Sequence, residues 1–181
     1  VSNKNKLKSL LEILKKNNIK IISSGGTYKE VRRLKYECIE VSNFTGSPEI
    51  LNGRVKTLHP KIHGGILYKR NNKSHYQDLI KNNYESIDLV IVNFYPFEKI
   101  IRNKSLHNKI IENIDIGGPT IARSAAKNYK DVTVVTSINQ YEELIKEIKN
   151  YKGSTSLNFR KKLAEKAFSE TAFYDTLISN Y

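Results

Sequence analysis

Leu7, Leu10, Leu11 and Leu14 recur at three- and four-residue spacing among lysines, which predicts an amphipathic surface helix from about Lys4 to Lys16 that stops at Asn17 and Asn18. Residues 20–23 then read as a short buried strand. The turn Ser24-Gly25-Gly26-Thr27 leads from it into a helix reaching about Leu34, a strand, glycine turn and helix in sequence. A second strand is expected over 37–41, an irregular region over 42–65, and a helix near 74–81. Residues 87–92, apolar but for Asp88, read as a strand buried on both faces of a parallel sheet. Helices follow near 106–114 and from Pro119, then a strand over 132–136, a helix over 140–149 and a long last helix over 157–179 with Leu163, Ala167 and Phe168 facing inward. Strands alternating with helices predict an α/β fold, a mainly parallel sheet flanked by helices.

The 181 residues show no internal repeat and no Pro/Gly/Ser linker, so residues 1–181 are read as one domain. No apolar run reaches bilayer length and the amino-terminal region has no signal-peptide pattern, so no membrane partner and a cytoplasmic location are expected. Cys38 is the single cysteine, which leaves neither a disulfide framework nor a cysteine metal site; it is expected to be a small buried hydrophobe. A formal net charge of +13 invites a nucleic-acid partner. The excess comes from 24 lysines against 7 arginines, with 19 asparagines and 22 isoleucines, the drift of an AT-rich coding sequence, and its lysines are scattered along helix faces. No nucleic-acid partner is therefore expected, while small phosphorylated ligands remain favoured.

Ligands of open parallel sheets sit beyond the carboxyl ends of the strands, where several polar segments converge. The segment 53–65, GRVKTLHPKIHGG, carries Arg54, Lys56, Lys61, His59 and His63 with few apolar anchors, and reads either as an anion-facing loop or as a solvated basic one. Ser24, Gly25, Gly26 and Thr27 form either a plain turn or a phosphate cradle at a helix start. Asp115, before Ile116, Gly117 and Gly118, is either a helix N-cap or a carboxylate that handles a substrate N–H. Tyr95, held extended by Pro96, either closes the core rim or directs its hydroxyl into the crevice. His59 and His63 are four apart, but Pro60 disfavours a helical pair and no third ligand lies nearby, so no metal is expected.

Taken in order, SSGGT (23–27), TGSPEILNGRVKTLHPKIHGGIL (45–67), IDLVIVNFYPF (87–97), ENIDIGGPTIARSAAKN (112–128) and AFSETAFYDTLISNY (167–181) resemble the amino-terminal half of the bifunctional purine-biosynthesis enzymes that join AICAR transformylase to inosine monophosphate (IMP) cyclohydrolase. The resemblance covers nearly the whole chain. It implies a methylglyoxal-synthase-like fold, a homodimer, no cofactor, and closure of the pyrimidine ring of IMP from 5-formamidoimidazole-4-carboxamide ribonucleotide with loss of water. The resemblance also implies a nucleotide held by Ser2, Asn3, Lys4, Ser24, Gly25, Gly26, Thr27, Arg54, Val55, Lys56, Thr57, Val92, Asn93, Asp115 and Ile116. Catalytic roles would fall on Lys56, Tyr95, Asp115 and Lys127.

In that scheme the carboxamide nitrogen attacks the formyl carbon of the same molecule. Lys56 stabilises the developing oxyanion, Asp115 orients or deprotonates the amide, and Tyr95 or Lys127 passes the proton that lets water leave. A straight helix from Pro119 would carry Lys127 about 12 Å from its start, so it would need a favourable packing angle, an interrupted helix or a site shared with a second subunit. Two departures stand out: Ser2-Asn3-Lys4-Asn5 replaces the family's Ser-Asp-Lys-Thr, and the apolar first strand that normally precedes it is absent. The transformylase domain is likewise expected to be absent from this chain. A different function class, a nucleotide-sensing regulatory module of the same fold without catalysis, would keep the phosphate cradle but not the catalytic geometry.

Overall fold

The computed structural model describes residues 1–103 and 106–181. Its helices are α1 (Leu7–Lys16), α2 (Gly25–Arg33), α3 (Val41–Thr45), α4 (Pro60–Leu67), α5 (Lys73–Lys81), α6 (Phe97–Arg102), α7 (His107–Glu112), α8 (Gly117–Lys127), α9 (Tyr141–Asn150) and α10 (Leu157–Ser179). The strands are short: β1 (Ile22–Ser23), β2 (Ile39–Glu40), β3 (Leu89–Ile91) and β4 (Thr133–Val135). β1 pairs in parallel with β2, Ile22 opposite Ile39, and β3 in parallel with β4, Val90 opposite Val134. The expected parallel pairing is therefore present among the described residues, as two pairs instead of one continuous sheet.

The inner strands β1 and β3 line a cleft of about 1650 Å³, together with Leu10, Leu11 and Leu14 of α1. Ile22, Leu89 and Ile91 are accordingly only half-buried. This explains why the strongly apolar segment 89–92 is not the most deeply buried strand: β3 faces the cleft, whereas β4 lies under α8 and α10 with Thr133, Val134 and Val135 all buried. The core continues through Ala122, Ala125 and Ala126 of α8 against Leu163, Ala164 and Ala167 of α10, where small side chains allow close helix approach.

Three expectations change. Residues 42–65 are not irregular throughout, since α3 and α4 lie within or across them. Phe168 points outward at 41% exposure with the Arg123 guanidinium 5.6 Å from its ring centroid, because Leu163, Ala164, Ala167 and Thr171 already form the inward stripe. Cys38 is half-buried instead of fully buried, and partial desolvation raises its thiol pKa.

α4 holds its place through a close backbone approach. A Cβ built at Gly65 would stand 2.4 Å from the Glu85 carbonyl oxygen, while the Gly65 carbonyl accepts the Ile87 N–H at 3.0 Å. Gly65→Ala is expected to destabilise the fold by about 1–3 kcal/mol through this overpacking. Thermal unfolding should show a melting temperature lowered by roughly 2–10 °C; an unchanged midpoint would mean that the approach is not constrained.

Candidate active site

The site is built where the polar ends of the strands meet. Behind β1, Gly25 takes φ +52° and opens α2, which turns the backbone amides of Gly25, Gly26 and Thr27 to the start of a helix. Two ammonium groups flank this turn. Lys56 Nζ lies 3.6 Å from a Cβ position at Gly25, and Lys4 Nζ lies 3.6 Å from one at Gly26. Lys56 is also paired with Glu49, Nζ to Oε1 3.1 Å, and a Cβ at Gly53 would meet its ammonium at 2.9 Å. The lysine arm passes against the glycines because neither has a side chain.

The basic segment bridges the two half-sheets. Its next residue, Thr57, has Oγ1 3.0 Å from a Cβ position at Gly117, so the lysine cradle abuts the turn that opens α8. Arg54 extends into solvent with an exposed side chain and bonds Glu112 through Nη2 at 2.5 Å. Val55 forms an isolated bridge with Ile50 and does not line the cleft, whereas Arg54, Lys56 and Thr57 do.

Behind β3, Asn93 fixes the amino-terminal segment. Its Oδ1 accepts from Ser2 Oγ and from the Asn3 N–H, both at 2.8 Å, and the Ser2 N–H reaches the Asn93 carbonyl at 3.4 Å. The Val1 nitrogen donates to Thr27 Oγ1 at 3.0 Å, so residues 1–3 connect the end of one strand pair with the end of the other. Ser2, Lys4, Val92 and Asn93 line the cleft; Asn3 does not, its Oδ1 being engaged by the Asn5 N–H. Tyr95 also lines it, about half exposed.

Asp115 is clamped from two sides. Its Oδ1 accepts the Gly118 N–H at 2.8 Å, and its own N–H donates to Tyr174 Oη at 2.8 Å. A Cβ at Gly118 would come within 2.5 Å of Oδ2, so the turn requires glycine there for the carboxylate to fold over it. Burial raises the carboxyl pKa, opposed by the backbone N–H groups of Gly118 and Tyr95. Ile116 lies at the same mouth with an exposed side chain. The N-cap role and a cleft-facing role are thus compatible.

Lys127 does not join this group. It is exposed at the far end of α8, an uninterrupted helix from Gly117, and does not line the cleft. The two histidines diverge: His59 Nδ1 accepts the Lys61 N–H, and His63 Nδ1 faces Ser124 Oγ at 3.0 Å. Glu49, Glu112 and Tyr174 are the residues that sequence reasoning passed over. Each lies within or beside a quoted motif, but only their pairing with Lys56, Arg54 and Asp115 gives them meaning.

Comparison with known proteins agrees with this layout. A model of the MGS-like domain matches residues 6–120, from α1 through the glycine turn to the start of α8. The chain belongs to the MGS-like domain family. A second model, the AICARFT/IMPCHase bienzyme, matches residues 125–181 and so takes in α9 and α10. This MGS-like chain is 52% identical over 178 residues to the bifunctional purine biosynthesis protein PurH of Prochlorococcus marinus subsp. pastoris, covering 98% of the chain and 34% of that protein. To the PurH of Clostridium kluyveri it is 50% identical over 182 residues, covering 100% of the chain and 36% of that protein. The chain thus spans about a third of the length of the curated relatives it matches. Among solved structures, the crystal structure of ForH superposes with a TM-score of 0.83 at 29% identity, covering 98% of this chain and 93% of that one.

Proposed function

We propose that this MGS-like domain is an IMP cyclohydrolase, closing the pyrimidine ring of IMP from 5-formamidoimidazole-4-carboxamide ribonucleotide in purine biosynthesis. The observation that carries the reading is one cleft with a cationic glycine turn at one side and a half-buried carboxyl of raised pKa at the other: Lys4 and Lys56 beside the Gly25-Gly26 turn, and Asp115 beyond Thr57. The likeness to bifunctional PurH proteins over nearly the whole chain supports it.

In this scheme the phosphate takes the amides of Gly25 to Thr27, the Lys4 ammonium and Arg54, which exchanges its Glu112 partner for phosphate oxygens. The base end then reaches Lys56, Tyr95 and Asp115. Holding the formyl carbon against the carboxamide nitrogen turns ring closure into a near-attack arrangement. As the N–C bond forms, the formyl oxygen gains negative charge beside the Lys56 ammonium. Asp115 accepts one proton from the attacking nitrogen and passes it to the formyl oxygen, giving a carbinolamine hydroxyl. The Tyr95 hydroxyl donates a second proton as that oxygen leaves as water, and the formamido N–H gives up its proton as the ring C=N bond forms, which restores Tyr95. No electrons are exchanged with a second reactant, and no cofactor is required.

Lys127 enters such a scheme only from the equivalent position of a second copy, which makes a homodimer part of the proposal. A cytoplasmic location and independence from nucleic acid and membrane complete it; among the described residues no helix is long and apolar enough to cross a membrane.

The deciding experiment is spectrophotometric detection of IMP formed from the formylated ribonucleotide by purified protein. Turnover is the expected result. Tight IMP binding with no turnover by intact, folded chain would replace the catalytic reading with a nucleotide-sensing one.

A further inference from the structure

The terminal motif AFSETAFYDTLISNY contributes no residue to the chemistry above, yet one of its side chains touches both segments that carry it. Tyr174 is buried on α10. Its Oη accepts the Asp115 N–H at 2.8 Å and lies 3.5 Å from the Asn113 carbonyl, to which it donates. Its ring meets Phe94 edge-on at 5.3 Å between centroids and Phe97 at 6.2 Å, the two aromatics that bracket Tyr95-Pro96. A single residue therefore spans the ends of two proposed catalytic segments, 59 positions away from Asp115.

The element that supplies it is the longest helix among the described residues. α10 runs for 23 residues and packs against α8, β4 and α6, so its middle turns are fixed by the main core through Leu163, Ala167 and Thr171. The turn 113–116, by contrast, has no regular structure, and Asp115 and Tyr95 both stand on loops. Loop-borne catalytic groups need outside support to hold productive geometry, and misplacement by about 1 Å costs roughly 100-fold in rate. Gly118 restrains the Asp115 carboxylate; Tyr174 restrains its backbone.

We propose that Tyr174 is a positioning residue: its hydroxyl fixes the Asp115 backbone, and with it the aim of the carboxylate, from the rigid α10 helix. The inference rests on the reading of Asp115 as the base. Tyr174→Phe keeps the ring and its aromatic contacts and deletes only the hydroxyl. It is expected to lower kcat by roughly 10-fold to 100-fold with the dissociation constant for IMP within threefold of the parent. The same substitution placed on Asp115→Asn should cause little further loss, because residues acting through one another are not additive. Amide hydrogen exchange at Asp115 should quicken in Tyr174→Phe, a readout that does not depend on turnover.

Leu177→Ala, which trims the same helix one turn further on, supplies the packing control and is expected to lower the melting temperature while kcat holds. Parental kcat in Tyr174→Phe beside an inactive Asp115→Asn would overturn the tether alone, as would equal kcat losses in Tyr174→Phe and Leu177→Ala, or a full additional loss in the double variant. Parental kcat in Asp115→Asn would overturn the reading of Asp115 itself, and the catalytic purpose of the tether with it.

Discussion

Asp115→Asn is expected to lower kcat by about 100-fold to 10,000-fold, the usual contribution of a positioned general base, while the melting temperature at neutral pH stays level or rises. The two effects have one cause. Burial raises the Asp115 pKa above its ordinary value of 3.8, so the folded protein holds this proton more tightly than the unfolded chain does. That contribution to stability is complete below the unfolded value and is lost as pH rises through the raised one. At neutral pH the ionised carboxylate is thus a cost to the fold, only partly offset by the Gly118 and Tyr95 N–H groups. Asparagine retains an oxygen for the Gly118 N–H and carries no charge. Melting curves for parent and variant across the acidic range should therefore draw together, or cross in favour of the parent, as pH falls toward 4. A variant that melts well below the parent at neutral pH would show that the hydrogen bonds, not desolvation, dominate at this carboxylate.

Lys56→Ala is expected to cost about 100-fold to 1,000-fold in kcat, the typical effect of removing one oxyanion donor, with calorimetric affinity for IMP reduced by less than about 10-fold. The argument is positional. The Lys56 ammonium stands beside the Gly25 turn and its neighbour Thr57 touches the Gly117 turn, so the lysine lies between the proposed phosphate and base ends. In the proposed reading the phosphate has other partners in the amides of α2 and in Lys4, which leaves the Lys56 ammonium for the oxygen that becomes negative during ring closure. An interaction that strengthens only as charge develops lowers kcat rather than affinity. Lys4→Ala should give the opposite pattern, weaker IMP binding with kcat retained at saturation. A Lys56→Ala enzyme that binds IMP poorly but turns over normally would make Lys56 a phosphate contact and move the oxyanion donor elsewhere.

The parts of this architecture legible in the sequence are those whose cause is local. Spacing alone places α1 over its leucines; α10 runs from Leu157 to Ser179 over the expected range, although its apolar stripe is weaker and leaves Phe168 outside. Ser24 to Thr27 reads as a strand-to-helix turn because glycine at positive φ has few other uses there. α4 was hidden, since Gly64 and Gly65 argue against a helix by propensity; it forms because those glycines admit Tyr84 and the Glu85 backbone while Ile62 and Ile66 enter the core. The short strands fall inside the expected ranges, but their grouping into two pairs depends on what lies between them, which no local pattern encodes. At the site, cationic and glycine-rich segments announced themselves by composition. The restraints on them did not: a tyrosine at the spacing of Thr171 and Tyr174 looks like any core aromatic, and only tertiary contact reveals its bond to Asp115. Lys127 is the converse case, a motif residue that helix geometry carries away from the others.

The separation of β1 from β3 has a thermodynamic corollary. In the proposed reading the phosphate sits at the end of β1, with Asn93 and Tyr95 at the end of β3, and at their strand ends the two pairs are joined by hydrogen bonds from Val1, Ser2 and Asn3. A nucleotide bound as proposed would act as a cross-link, holding one strand pair by its phosphate and the other by its base. Binding energy and conformational stiffness become the same quantity here. Ligand at 100 times its dissociation constant adds about 2.7 kcal/mol to the folded state, and that increment should appear first as slowed amide exchange along Ile22 and Leu89 to Ile91. Substrate would then stiffen the strand ends before it is transformed, and release of product would relax them, while the shared core beneath stays packed.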